Sequence, residues 1–183
     1  MDLDDPATWE ARAFDALQVD PDDIDLKRLA RALRDLSQRH ETSAPLTGRL
    51  GPGQEDDAAT LLVRLLIFAR RSFRAGRHLL QTVPLLRGYR HVLERGAGFG
   101  PFLLSFAPSA GRLEAEEAFS EYASPRQRLL ASIPSPSPSS QDGPPLEVFG
   151  YSFAEMSGFD TDRGCELILS TLQRGRDVLV VEP

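Results

Sequence analysis

Cysteine is nearly absent from this chain: Cys165 is the single one among 183 residues. One thiol can form neither an internal disulfide nor a multi-cysteine metal cluster, so a reducing cytoplasm is the expected setting. Lysine is almost missing as well, since Lys27 is the one lysine among 21 basic residues. Long apolar runs are lacking; the longest, Leu65 to Ala69, falls far short of the roughly 20 residues that a membrane span needs, so no membrane partner is expected. The chain opens Met-Asp-Leu-Asp-Asp-Pro, acidic where a secretory signal is basic and then apolar. Histidines are few, and His40, His78 and His91 fall on different expected elements without ligand spacing, so no metal site is anticipated. No Ser/His/Asp or Cys/His arrangement is legible either, and the catalytic residues stay unassigned.

What is present is ordinary in amount and uneven in placement. A hydrophobic content of 41% suits a globular chain, and the length allows one good-sized domain or a small domain with a helical attachment. The formal net charge of −6 hides a pattern. Residues 1–60 carry 14 acids against 7 bases, residues 61–95 carry 8 arginines against Glu94 alone, and residues 96–183 return to −6. Arginine bias of this kind is also what genomic base composition alone produces.

The first 84 residues read as a helical module. Ala7 to Leu17 is a short helix containing Trp9 and Phe14. Pro21-Asp22-Asp23 starts a second, with acids in the first turn where the helix dipole favours them. Leu26, Leu29, Ala30, Leu33 and Leu36 recur at helical spacing, so Ile24 to His40 is expected to be amphipathic. Residues 42–54, with Pro45, Gly48, Gly51, Pro52 and Gly53, read as a loop. A third helix is expected from Glu55-Asp56-Asp57 to about Leu80, burying Leu61, Leu62, Leu65, Leu66, Phe68, Ala69 and Phe73. Its polar side carries Arg64, Arg70, Arg71, Arg74 and Arg77. That stretch, 64–77, is either a solvated face pairing with the acidic N-terminal segment or a contact surface for RNA or a protein partner.

From residue 85 the pattern alternates. Tyr89 to Glu94 and Arg112 to Glu117 read as strands, Ser124 to Ile133 as a helix, and Leu146 to Ser152 as another strand. Thr161 to Gln173 follows as a helix and Val178 to Val181 as a buried strand. Residues 134–145, rich in Pro and Ser, read as a low-complexity surface loop. Such alternation implies an α/β fold, with helices packed on the faces of a parallel sheet.

The stretch Val92-Leu93-Glu94-Arg95-Gly96-Ala97-Gly98-Phe99-Gly100 carries the functional signal. An apolar run ends in an acid, three glycines alternate, and Pro101 opens an apolar helix. Glycines let the backbone turn tightly and approach a nucleotide-like ligand, with the amides of a helix start pointing at it. About 17 residues after Gly100 stands Glu117, at a spacing suited to an acid at the tip of a second strand that accepts ribose hydroxyls.

This pattern resembles the class I S-adenosylmethionine-dependent methyltransferases. Val92 to Gly100 looks like their first motif, and Glu117 (or Glu116) like the acid after their second strand. Leu146 to Met156 looks like their fourth strand and the loop after it, and Asp177 to Pro183 like the fifth. Within the superfamily, Tyr151-Ser152-Phe153-Ala154-Glu155-Met156 and Val181-Glu182-Pro183 are similar to segments of the mitochondrial small-ribosomal-subunit methyltransferase-like group, although the cysteine clusters of some ribosome-associated relatives are absent. The resemblance covers roughly residues 85–183 and implies an incomplete Rossmann-like sheet that binds S-adenosylmethionine. Glu94 would hold the methionine end, Gly96, Ala97, Gly98, Phe99 and Gly100 would cradle the cofactor, Glu117 would hold the ribose, and Tyr151 would also belong to the cofactor site while lying, with Glu155, where acceptor-binding residues sit. Tyr151 is equally readable as a strand-end aromatic and Glu155 as a cap. If active, the chain would methylate RNA, protein or a small molecule. The alternatives are a non-catalytic methyltransferase-like scaffold and a helical interaction module that completes a partner's fold.

Three departures from the family pattern stand out. Arg95 occupies a place in the glycine motif where a small or apolar residue is usual. The third strand is missing or hidden at the low-complexity loop. The sequence stops at the strand matched to the family's fifth, which leaves a sheet edge open to an oligomer or heteromer. Cys165 reads as a small buried apolar residue within its helix.

Overall fold

The computed structural model describes residues 3–41, 57–117, 119–134, 145–150 and 160–181. The chain divides into two compact units, Met1–Arg70 and Arg71–Pro183. Among the described residues no helix is long and apolar enough to cross a membrane.

The first unit is helical. α1 (Pro6–Leu17) begins where the Asp5 side chain accepts from Thr8 N at 2.8 Å, with proline at its first position. It buries Trp9, Ala13 and Ala16 and ends at Gln18 in the left-handed region, φ 56°. α2 (Leu26–Glu41) packs on α3 (Ala58–Val63), whose amides are capped by Asp57 through Thr60 N at 2.8 Å. Of the acids expected to open this third helix, Asp57 caps it, and Glu55 and Asp56 lie outside the described residues. α3 then widens into a π-helical turn, Arg64–Ala69, that the apolar periodicity did not announce. Within that turn the Leu65 carbonyl accepts the Trp9 indole N–H at 3.0 Å, so a buried indole finds the partner it needs.

The second unit opens with α4 (Arg70–Thr82). The division at Arg70–Arg71 precedes the expected 84/85 boundary because α4 is built into the second unit. Gly76 lies so close to α5 (Pro101–Phe106) that a Cβ there would stand 2.6 Å from Ser105 Oγ. Ser105 in turn donates to Phe73 O at 2.9 Å, and Leu80 joins the core beneath the sheet.

Four parallel strands form that sheet in the order β2-β1-β3-β4: β1 (His91–Arg95), β2 (Arg112–Glu116), β3 (Leu146–Gly150) and β4 (Asp177–Val181). The connections run through α5, α6 (Ala123–Ala131) and α7 (Thr161–Gln173), so this is an α/β fold with a helical module ahead of an incomplete Rossmann-like sheet. Val92, Leu146 and Val148 face Phe102, Leu103 and Phe106 in one core. β4, expected to be buried, is half-buried along its whole length, as befits a strand paired on one side among the described residues. Cys165, also expected inside, is exposed on α7.

Alternation along β1 separates neighbours in sequence. Val92 and Glu94 face the α5 side, whereas Arg95 faces the opposite side of the sheet. There the Arg95 Nε donates to Glu147 Oε1 at 2.7 Å and its Nη1 pairs with Glu116. Glu147 is wholly buried, and its second oxygen accepts from Arg176 Nη1 at 2.9 Å. Burial alone would raise the Glu147 pKa; the hydrogen bonds from Arg95 and Arg176 and the charges of Arg95 and Arg174 outweigh it and hold the group below its ordinary value. The unusual arginine in the glycine motif is therefore the counter-charge of a buried glutamate. Removing that charge leaves the guanidinium groups around a neutral amide, with one acceptor oxygen where Arg95 and Arg176 each had their own. Glu147→Gln is expected to cost roughly 2–3 kcal/mol at neutral pH, read by chemical denaturation. Because the folded pKa is depressed, the deficit should shrink as pH falls below the ordinary carboxylate range; a deficit that stays constant into acid would contradict the ionised pairing.

Candidate functional site

β1 ends at Arg95, and the chain must reverse within five residues to lay α5 back on the sheet. Three of those residues solve the problem by leaving ordinary backbone space: Gly96, Gly98 and Gly100 have φ values of 61°, 49° and 70°. Side-chain-bearing residues are strained in this left-handed region, which is why the alternating glycines are there. The turn lies at the carboxyl ends of the strands, beside the line where the connections from β1 diverge. One leads to β2 on one side, and the chain later returns to β3 on the other. In open parallel sheets this switch point is where a crevice for ligands forms.

The backbone of the turn is tied down from several directions. Ala97 N donates to Glu116 O at 3.2 Å and Gly100 N to Ala97 O at 2.6 Å. Gly98 N donates to Glu117 Oε2 at 2.6 Å, while Phe119 N takes the other Glu117 oxygen at 3.2 Å. Phe99 turns inward and meets Tyr122 edge to face, ring centres 4.9 Å apart and planes at 86°. The side of Gly98 where a Cβ would stand is open, with nothing within 4 Å.

Glu94 sits beneath this turn at 1% exposure. Its carboxyl accepts from Leu103 N at 2.9 Å, and the Phe102 amide also bonds to it. The first amides of α5, expected to face a ligand, are thus consumed from inside. Burial raises the Glu94 pKa to about 8, against the lowering effect of those two amides and of Arg126.

Arg126, on α6, is the functional candidate that sequence reasoning missed. Its Nη1 donates to Gly98 O at 2.7 Å. Its stem lies against Gly100, where a Cβ would come within 2.9 Å of Arg126 Cδ. Burial lowers the guanidinium pKa, and the charges of Glu117 and Glu94 oppose that shift. One signal for it existed: a cation in the opening turns of a helix is disfavoured by the dipole, so Arg126 needed carboxyl partners elsewhere in the fold.

The structure therefore brings together Glu94, Gly96, Ala97, Gly98, Phe99, Gly100 and Glu117, and adds Arg126. Ala97 and Phe99 are buried and support the turn from below. The neighbouring acid Glu116 faces the other side of the sheet and pairs with Arg95. Tyr151 and Glu155 lie outside the described residues. The 64–77 arginines are divided between the π turn and α4, with Arg71 and Arg74 exposed and the Arg70 Nη2 donating to Asp4 O at 3.1 Å. No protein-family model, no curated protein and no solved structure matches this chain.

The buried carboxyl makes stability depend on pH in a defined direction. The folded chain holds the Glu94 proton more tightly than the unfolded chain does, so stability falls as pH rises from about 4.5 to about 8. Glu94→Gln keeps an oxygen for Leu103 N–H and has nothing to ionise. Compared by chemical denaturation, it should gain on the wild type between about pH 5 and about pH 9, by an amount of order a few kcal/mol. Parallel stability profiles for the two chains would mean that Glu94 ionises as freely as a surface acid.

Proposed function

We propose that the second unit binds a nucleoside-bearing cofactor at the Gly96–Gly100 turn, and that S-adenosylmethionine is that cofactor, making the chain a methyltransferase-type protein. The observation that carries the reading is the set of three left-handed glycines at the carboxyl end of β1, on the switch point of a parallel sheet and with one flank open at Gly98. Glu117 at the end of β2 supports it, because a carboxylate next to the turn is suited to ribose hydroxyls. Glu94 fits a different role from the one its place in the motif suggests: fully buried and bonded to α5, it shapes the turn rather than meeting the ligand. Bound S-adenosylmethionine supplies an electrophilic methyl group. The chain's own part would be to hold the nucleoside through the turn backbone and Glu117 and to orient it toward an acceptor, RNA, protein or small molecule.

A second reading, a methyltransferase-like scaffold without catalysis, has one observation in its favour. The amides of Ala97, Gly98 and Gly100 and both Glu117 oxygens have partners within the fold, so the turn is stable without a guest.

Titration calorimetry with S-adenosylmethionine and its demethylated product separates the two, a micromolar heat signal supporting the cofactor site and silence at millimolar supporting the scaffold. Gly98→Val gives the sharper test. A β-branched residue at φ 49° is strained by about 1–2 kcal/mol or more, yet its Cβ has nothing within 4 Å, so the unit should remain folded while binding is abolished. Wild-type affinity in that variant would remove the turn from the site.

A further inference from the structure

We infer that Arg126 is a latch on the glycine turn, holding it in a closed form that the ligand must release; this rests on the cofactor reading above and concerns the regulation of that same site. The groups a nucleoside would use at the turn are already engaged, and the Arg126 side chain lies against the turn and acts on Glu117 as well. Its guanidinium holds Gly98 O at 2.7 Å, and its stem covers the Cα of Gly100, with Cδ and Cγ at 2.9 and 3.2 Å from where a Cβ would stand. Its charge also acts on Glu117, whose two oxygens are occupied by Gly98 N and Phe119 N. On the opposite flank Gly98 is open, so the turn is accessible from one direction and clasped from the other.

The placement has the character of a restraint rather than of a structural strut. A cation near the beginning of α6 opposes the helix dipole, and desolvation of the half-buried guanidinium works against it further. What keeps it there is one charge-assisted hydrogen bond and two nearby carboxyl groups. A ligand that binds Glu117 and the turn backbone takes those partners away, and Arg126 then has reason to leave. Anything that removes Arg126 should therefore favour binding, since the ligand no longer competes with an internal clasp.

The experiment uses the full chain, wild type and Arg126→Ala, with alanine chosen to preserve the helix. Arg126→Lys serves as a second variant that keeps the charge and loses the planar fork. Two quantities are measured: calorimetric affinity for S-adenosylmethionine and its demethylated product, and hydrogen exchange of the Gly98 and Gly100 amides without ligand. The latch predicts that Arg126→Ala binds about tenfold tighter or more, that its turn amides exchange faster, and that Arg126→Lys falls between. Binding that is unchanged or weaker in Arg126→Ala overturns the latch and leaves the cofactor reading standing. If neither chain binds, the cofactor reading fails, and exchange alone decides: faster turn amides in Arg126→Ala support a clasp on the turn, and unchanged ones overturn it.

Discussion

Glu94 must place a carboxyl group among apolar side chains to reach the amides that open α5, and the shape of the turn above it follows from that demand. A strand and a short helix can share one acid in this way only if the intervening residues fold back on themselves within a single tight reversal. Alternating left-handed glycines provide the reversal, and the inward packing of Ala97 and Phe99 holds it. Desolvating a carboxyl is costly, and the cost is offset in part by two backbone donors that would otherwise be orphaned at a helix end. Each group solves the other's problem.

The sheet keeps two kinds of chemistry apart by the simple alternation of a strand. One face carries the apolar core under α4 and α5, interrupted by Glu94. The other carries a polar network in which Glu147 is shared among arginines and Thr171, whose Oγ1 donates to Glu147 Oε1 at 3.3 Å. Adjacent residues in sequence, Glu94 and Arg95, therefore belong to different systems and do not neutralise each other. Tyr89, just ahead of β1, reaches past β3 to the start of β4, its hydroxyl donating to Asp177 Oδ2 at 2.6 Å. Among the described residues, β2 at one edge carries Arg112, Glu114 and Glu116, charges that discourage pairing with a foreign strand; at the other, β4 is largely apolar.

Much of this was readable from local pattern. The strands, the glycine turn, the helix start at Pro101 and the Asp57 cap all rest on residues close in sequence, where periodicity and turn chemistry speak clearly. What stayed hidden depends on residues far apart. Arg95 looked misplaced because its partner Glu147 lies fifty-two positions away on a different strand. Arg126 sits twenty-eight positions from Gly98, and nothing near it in sequence hints at a glycine turn. α4 joined the second unit through the close approach of Gly76 to Ser105, a packing fact that no helical wheel displays. The π turn escaped because its apolar spacing looks helical whichever way the hydrogen bonds step.

The pairing of the Trp9 indole with the Leu65 carbonyl has an optical corollary. The chain holds one tryptophan, and it lies inside the first unit at 2% exposure. Emission excited selectively at the indole thus reports the melting of that unit alone, while Tyr89 and Tyr122 sit in the other. The molecule carries a built-in pair of colours with which to ask whether its halves unfold as one or in turn.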